Sequence, residues 1–77
     1  MKVYVVTCTF NDSETLIDCA FKKMKDARAY AEALNGDKAK AVARCKEVIA
    51  LRLGEAMVKF LNEESGVEFE VVAAELK

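Results

Sequence analysis

Apolar and polar positions alternate twice near the start of the chain. Across Lys2–Phe10 (KVYVVTCTF), Tyr4, Val6, Cys8 and Phe10 fall on one side and Val3, Val5, Thr7 and Thr9 on the other. β-Branched and aromatic residues suit a pleated surface, so this stretch predicts a strand. Thr15–Phe21 (TLIDCAF) alternates again, with Ile17, Cys19 and Phe21 on its apolar side. Between the two lies Asn11-Asp12-Ser13-Glu14, whose Asn, Asp and Ser side chains bond their own backbone in turns. That four-residue loop pairs Phe10 with Thr15, Cys8 with Ile17 and Tyr4 with Phe21. The two apolar faces then coincide, which predicts a β-hairpin.

From Met24 the period changes. Met24, Ala27, Tyr30, Ala31 and Leu34 share one face at helical spacing. Asn35-Gly36 closes this helix, with the glycine expected to turn left-handed. Asp37 is the expected N-cap of a second helix. Asp37 to Glu64 has no proline, a single glycine at Gly54, and mostly strong helix formers. Val42, Cys45, Ile49, Leu53, Ala56 and Phe60 form one stripe along it. Unbroken, it would be about 42 Å long, against roughly 30 Å for a compact domain of this size. The helix must overhang its domain, bend at Gly54, or lie against a second copy. Val67 to Leu76 reads as a third strand. Its apolar parity changes at Val71-Val72, which predicts a β-bulge or a strand end covered on both faces. The order is β-β-α-α-β. The expectation is one α+β domain over residues 1–77, with a three-stranded antiparallel sheet packed on two helices, the second long.

Charge is uneven. Lys22–Arg52 carries nine basic and four acidic residues, and Leu53–Lys77 carries two and six. Lys38 and Lys40 fall in the first turn of the expected long helix and Glu63 and Glu64 in its last, against the helix dipole. Lys22, Lys23, Lys25, Arg28, Lys38, Lys40, Arg44 and Lys46 would merge into one basic patch if the helices pack antiparallel. Near a helix N-terminus such a patch can hold phosphates. Net charge is nevertheless -1, and no aromatic platform lies among the lysines.

Chemistry is sparse. The chain has three cysteines and no histidine, so a cysteine nucleophile would lack its usual base. No metal-ligand spacing or phosphate-binding loop is present. Neither a catalytic site nor a cofactor is expected. No apolar run approaches a membrane span. The odd cysteine count and the strand-like opening, without a basic and apolar leader pattern, predict free thiols in a reducing cytoplasm.

The pattern K-V-Y-V-V-T, a polar turn, L-I-D-C-A-F and a helix containing D-A-R-A-Y-A resembles a loose group of small bacteriophage proteins that begin with a hairpin and a helix. The resemblance covers Lys2 to Leu34 and is structural, so it carries over no functional residue. It implies a stoichiometric inhibitor of host machinery, a class that includes anti-CRISPR proteins, acting in the host cytoplasm.

Together these features predict a non-enzymatic protein that binds a protein partner, with homodimerisation through the surplus apolar helix surface. Ile49, Leu53, Met57, Phe60 and Leu61 are the expected association residues. In an antiparallel helix pair, Lys38 and Lys40 of one copy would approach Glu63 and Glu64 of the other. The alternative is nucleic-acid binding through the basic patch.

Overall fold

The computed structural model describes residues 1–76. The alternating stretches form β1 (Lys2–Phe10), β2 (Glu14–Phe21) and β3 (Glu68–Glu75), and the helical stretches form α1 (Met24–Asn35) and α2 (Lys38–Leu53). The sheet order is β2-β1-β3, antiparallel throughout. This is the expected α+β architecture. The molecule measures 37 × 26 × 18 Å. Its least dimension admits one sheet and one helical layer, so the face of the sheet away from the helices has no covering element. The accessible surface of 5259 Å² exceeds the roughly 4,700 Å² expected for a monomer of this mass.

The hairpin begins in the expected register, with Tyr4 opposite Phe21 and Val6 opposite Cys19. It then slips by one residue. Thr7 faces Ile17 and Cys8 faces Leu16, which leaves Asp18 unpaired in a β-bulge. The slip reverses the parity of the rest of β2. Leu16 packs against the core, and Ile17, expected inside, is 54% exposed. Asp18 turns inward and is buried. No bulge occurs in β3, whose pairing with β1 runs without a break from Glu68 to Glu75. Nor is the end of β3 covered on both faces, since Val72 is half exposed.

Val6, Cys8, Phe10 and Phe69 rise from the sheet into the core. Ala27 and Ala31 of α1 meet them, with Ala41, Cys45 and Ile49 of α2. Three alanines in that set let both helices approach the sheet closely. Asp37 caps α2 as expected, its Oδ1 accepting from the Lys40 amide at 3.2 Å. Gly36 ends α1 in a right-handed conformation (φ -80°) rather than the expected left-handed one. Its amide donates to the Glu32 carbonyl at 2.9 Å and the Asp37 amide to that of Leu34 at 3.1 Å, so the last turn closes with no reversal of hand.

The long helix stops at Gly54. There φ is 100° and ψ 151°, a combination that is essentially glycine-only. The chain continues as two 3₁₀ segments, Glu55–Phe60 and Glu63–Ser65. They lie back against the molecule and do not extend α2. Asn11, at the hairpin turn with φ 51°, holds them there. Its Nδ2 donates to the Phe60 carbonyl at 2.9 Å, and its Oδ1 accepts from the Asn62 amide at 2.7 Å. Glu63 and Glu64 are therefore not in the last turn of α2, and Arg52 holds that place in favourable accord with the helix dipole. Glu63 instead reaches Lys46 within the same chain, Oε2 to Nζ 3.3 Å. The acid-to-base approach expected between two copies already exists inside one.

Candidate interaction surface

The break at Gly54 decides which expected association residues remain free. Ile49 is 1% exposed and belongs to the core. Leu61 and Val58 are partly buried against that core and close its end. Leu53 (49%), Met57 (41%) and Phe60 (61%) remain open to solvent. These three converge on a notch of about 210 Å³ with Phe10 and Ile49 among its walls. Leu53 also borders a shallow groove with Leu16 and the outward-turned Ile17. One apolar strip thus runs from Ile17 through Leu53 to Met57 and Phe60. Lone exposed apolar residues are ordinary on a monomer, whereas a contiguous strip makes this the candidate interaction surface. Leu53, Met57 and Phe60 are the expected association residues that it contains. The exposure of Ile17 differs from the sequence expectation, because the bulge that turns it outward is not visible in the strand's alternation.

The eight basic residues do not form one field of free charge. Arg44 is turned to the interior, where its Nε and Nη2 both donate to Asp18 Oδ1, at 3.0 and 2.5 Å. Its Nη1 donates to Glu47 at 2.8 Å. Lys46 is paired with Glu63, and Lys38 borders the same groove beside Glu63 and Glu64. Arg28 faces a different groove, between α1 and β3. Lys22, Lys23, Lys25 and Lys40 are exposed.

Asp18 is the one buried acidic side chain among the described residues, and it is saturated. Besides Arg44 it accepts from the Tyr30 hydroxyl at 2.6 Å. Burial first, and then this bond to a carboxylate, raise the Tyr30 pKa above its ordinary 10.0. The bond to Asp18 likewise raises that of Arg44. Tyr30 also packs its ring on Phe21, with centroids 5.5 Å apart. A carboxylate held by two permanent donors is a strut between α1, β2 and α2.

The thiols are placed as small hydrophobes. Cys8 and Cys45 are fully buried and Cys19 is half buried, all three free. Hydrogen bonding to Cys45, then burial, push the Cys8 thiol far above its ordinary 9.0. Burial raises Cys19 as well. The bond from Cys8 lowers Cys45, against the opposing effect of burial, but Cys45 is fully buried, whereas reactive cysteines are lowered in exposed electropositive settings. Among the described residues, no group of three or more Cys, Asp or Glu is placed to hold a metal, and no helix is long and apolar enough to cross a membrane. Compared with known proteins, the chain matches no family model, no curated protein and no solved structure.

Proposed function

We propose that this chain is a non-enzymatic protein-binding protein that engages its partner through the strip of Ile17, Leu53, Met57 and Phe60. The observation that carries the reading is the exposure of Leu53, Met57 and Phe60 around one notch. The conformation at Gly54 and the two hydrogen bonds from Asn11 hold this arrangement open. Such a surface offers a partner an apolar centre with a polar rim, which is the anatomy of a protein interface. Together with the likeness of Lys2–Leu34 to small phage proteins, it favours an inhibitor of host machinery that acts by occupying a surface.

The internal pairing of Arg44 and Lys46 weighs against nucleic acid as the ligand, since charges already neutralised release few counterions on binding. The test is a double variant, Leu53→Asp with Phe60→Ser. Both side chains are exposed, so the fold is expected to survive. Loss of partner capture with unchanged thermal unfolding supports the reading. Capture at wild-type strength refutes it.

A further inference from the structure

A second surface, independent of the apolar strip, lies on the opposite edge of the sheet. In an antiparallel sheet, successive residues of an edge strand point their backbone groups alternately at the neighbour and at solvent. Leu76 donates to the Met1 carbonyl at 2.7 Å, so the even-numbered residues of β3 face β1 and the odd-numbered ones face outward. At Phe69 that outward pair is closed by one side chain. Asn35 Nδ2 donates to the Phe69 carbonyl at 2.8 Å, and its Oδ1 accepts from the Phe69 amide at 2.9 Å. Beyond it, Val71, Ala73 and Glu75 present their amides and carbonyls to solvent. The other edge of the sheet is guarded. The Arg52 guanidinium donates to the carbonyls of Ile17 and Asp18 at 3.0 and 3.3 Å, beside the bulge. Between Glu70 and Glu75 the β3 edge, Val71–Ala74, has no charge or proline, and such an edge is a template for another strand.

We infer that the free part of β3 pairs with β3 of a second copy, antiparallel, about a two-fold axis through Ala73. The three open residues are symmetric about that position. Val71 meets Glu75 of the second copy, Ala73 meets Ala73, and Glu75 meets Val71, giving about six backbone hydrogen bonds. The Asn35 cap at Phe69 marks where the ladder stops, and so selects this register. Between the bonded pairs, Val72 comes opposite Ala74 and Glu70 opposite Leu76. No like charges are opposed. Val72 and Leu76, now 50% and 53% exposed, gain cross-strand neighbours.

On the helix side, Val71 borders the groove that holds Arg28, Ala31 and Glu32. Glu75 of the second copy, opposite Val71, brings a carboxylate to that groove. Arg28 makes no ion pair among the described residues. Among the described residues Glu75 pairs with the amino terminus alone, at 3.8 Å and exposed. A second copy therefore supplies what both lack, and a continuous six-stranded sheet results.

Sedimentation equilibrium of Ala73→Pro against wild type tests this. Proline removes the outward amide of residue 73 and leaves the ladder to β1 intact. Wild type is expected at twice the 8.5 kDa chain mass at micromolar concentration. The variant is expected to associate more weakly by roughly a hundredfold, since two dyad hydrogen bonds and their strand alignment are lost. Should the proline variant fail to fold, Ala73→Cys in a Cys19→Ser background replaces it. Oxidised glutathione should then link two copies through residue 73, releasing two reduced glutathione molecules per disulfide formed. A wild type that stays monomeric overturns the inference. So does a dimer that survives Ala73→Pro, fails to link through residue 73, or is abolished instead by Phe60→Asp.

Discussion

Arg44 closes on Asp18 with two nitrogens on one carboxylate oxygen, at 3.0 and 2.5 Å, and by doing so ties α2 to the bulge in β2. Asp18 is fully withdrawn from solvent, while Arg44 keeps about a quarter of its side chain wet (28%). Removing the arginine strands a buried carboxylate with one donor, Tyr30. Arg44→Met should cost about 3 kcal/mol, the low end for a broken buried pair because the arginine is partly hydrated. Asp18→Val combined with Arg44→Leu should recover most of that loss. Denaturant unfolding of the three proteins measures both effects. A change under about 0.5 kcal/mol in Arg44→Met would mark the pair as ordinary surface decoration.

Alkaline pH should expose the Tyr30 contribution. Its folded pKa lies above the ordinary 10.0. The stability it contributes is therefore complete below that value and is lost as pH rises toward the folded pKa, because the unfolded chain ionises first. The stability advantage of wild type over Tyr30→Phe should be constant near neutrality and shrink above pH 10.0. Tyrosinate absorbance should show one tyrosine ionising late, absent from Tyr30→Phe. Parallel loss of stability in the two proteins would contradict the assignment.

Gly54 should tolerate no L-residue without strain. A Cβ there meets nothing within 4 Å, so the difficulty lies in the backbone alone. Gly54→Ala should cost about 1–3 kcal/mol, the usual range for a residue forced into such a conformation. D-alanine, whose preferred angles are mirrored, should be accepted at that position in a synthetic chain. If L- and D-alanine destabilise equally by thermal unfolding, the helix break has another cause.

The strands and α1 were legible because alternation and helical spacing are read directly from apolar positions. The break at Gly54 was legible only as a conflict of lengths, a rod of about 42 Å in a body of roughly 30 Å. Spacing along Asp37–Glu64 did not say which alternative holds, since Ala56 and Phe60 continue the stripe past the glycine. The bulge left less trace. Asp18 occupies a position that alternation assigns to the solvent face, and its burial depends on Tyr30 and Arg44, 12 and 26 residues away. Reading Arg44 as part of a surface patch failed for the same reason. A charge's partner is a tertiary fact. Asn11 and Asn35 were equally hidden, since each binds backbone groups more than 30 residues distant.

The thiols should divide by burial. An alkylating reagent under native conditions should modify Cys19 slowly and leave Cys8 and Cys45 untouched until the chain unfolds. Mass spectrometry of partly labelled protein reads the order. Rapid labelling of Cys45 in the folded protein would show that the core between β1 and α2 opens readily.

The claim that matters most is that the strip at the end of α2 is where this protein meets its partner. A photo-activatable residue at position 60, compared with one at position 25 on the exposed side of α1, tests it directly. Irradiation in a lysate of the cells that make the protein should give a discrete adduct from position 60, heavier than two copies of the chain, that Leu53→Asp abolishes. Position 25 should give none. Equal adducts from both positions, or none from position 60, would contradict the account.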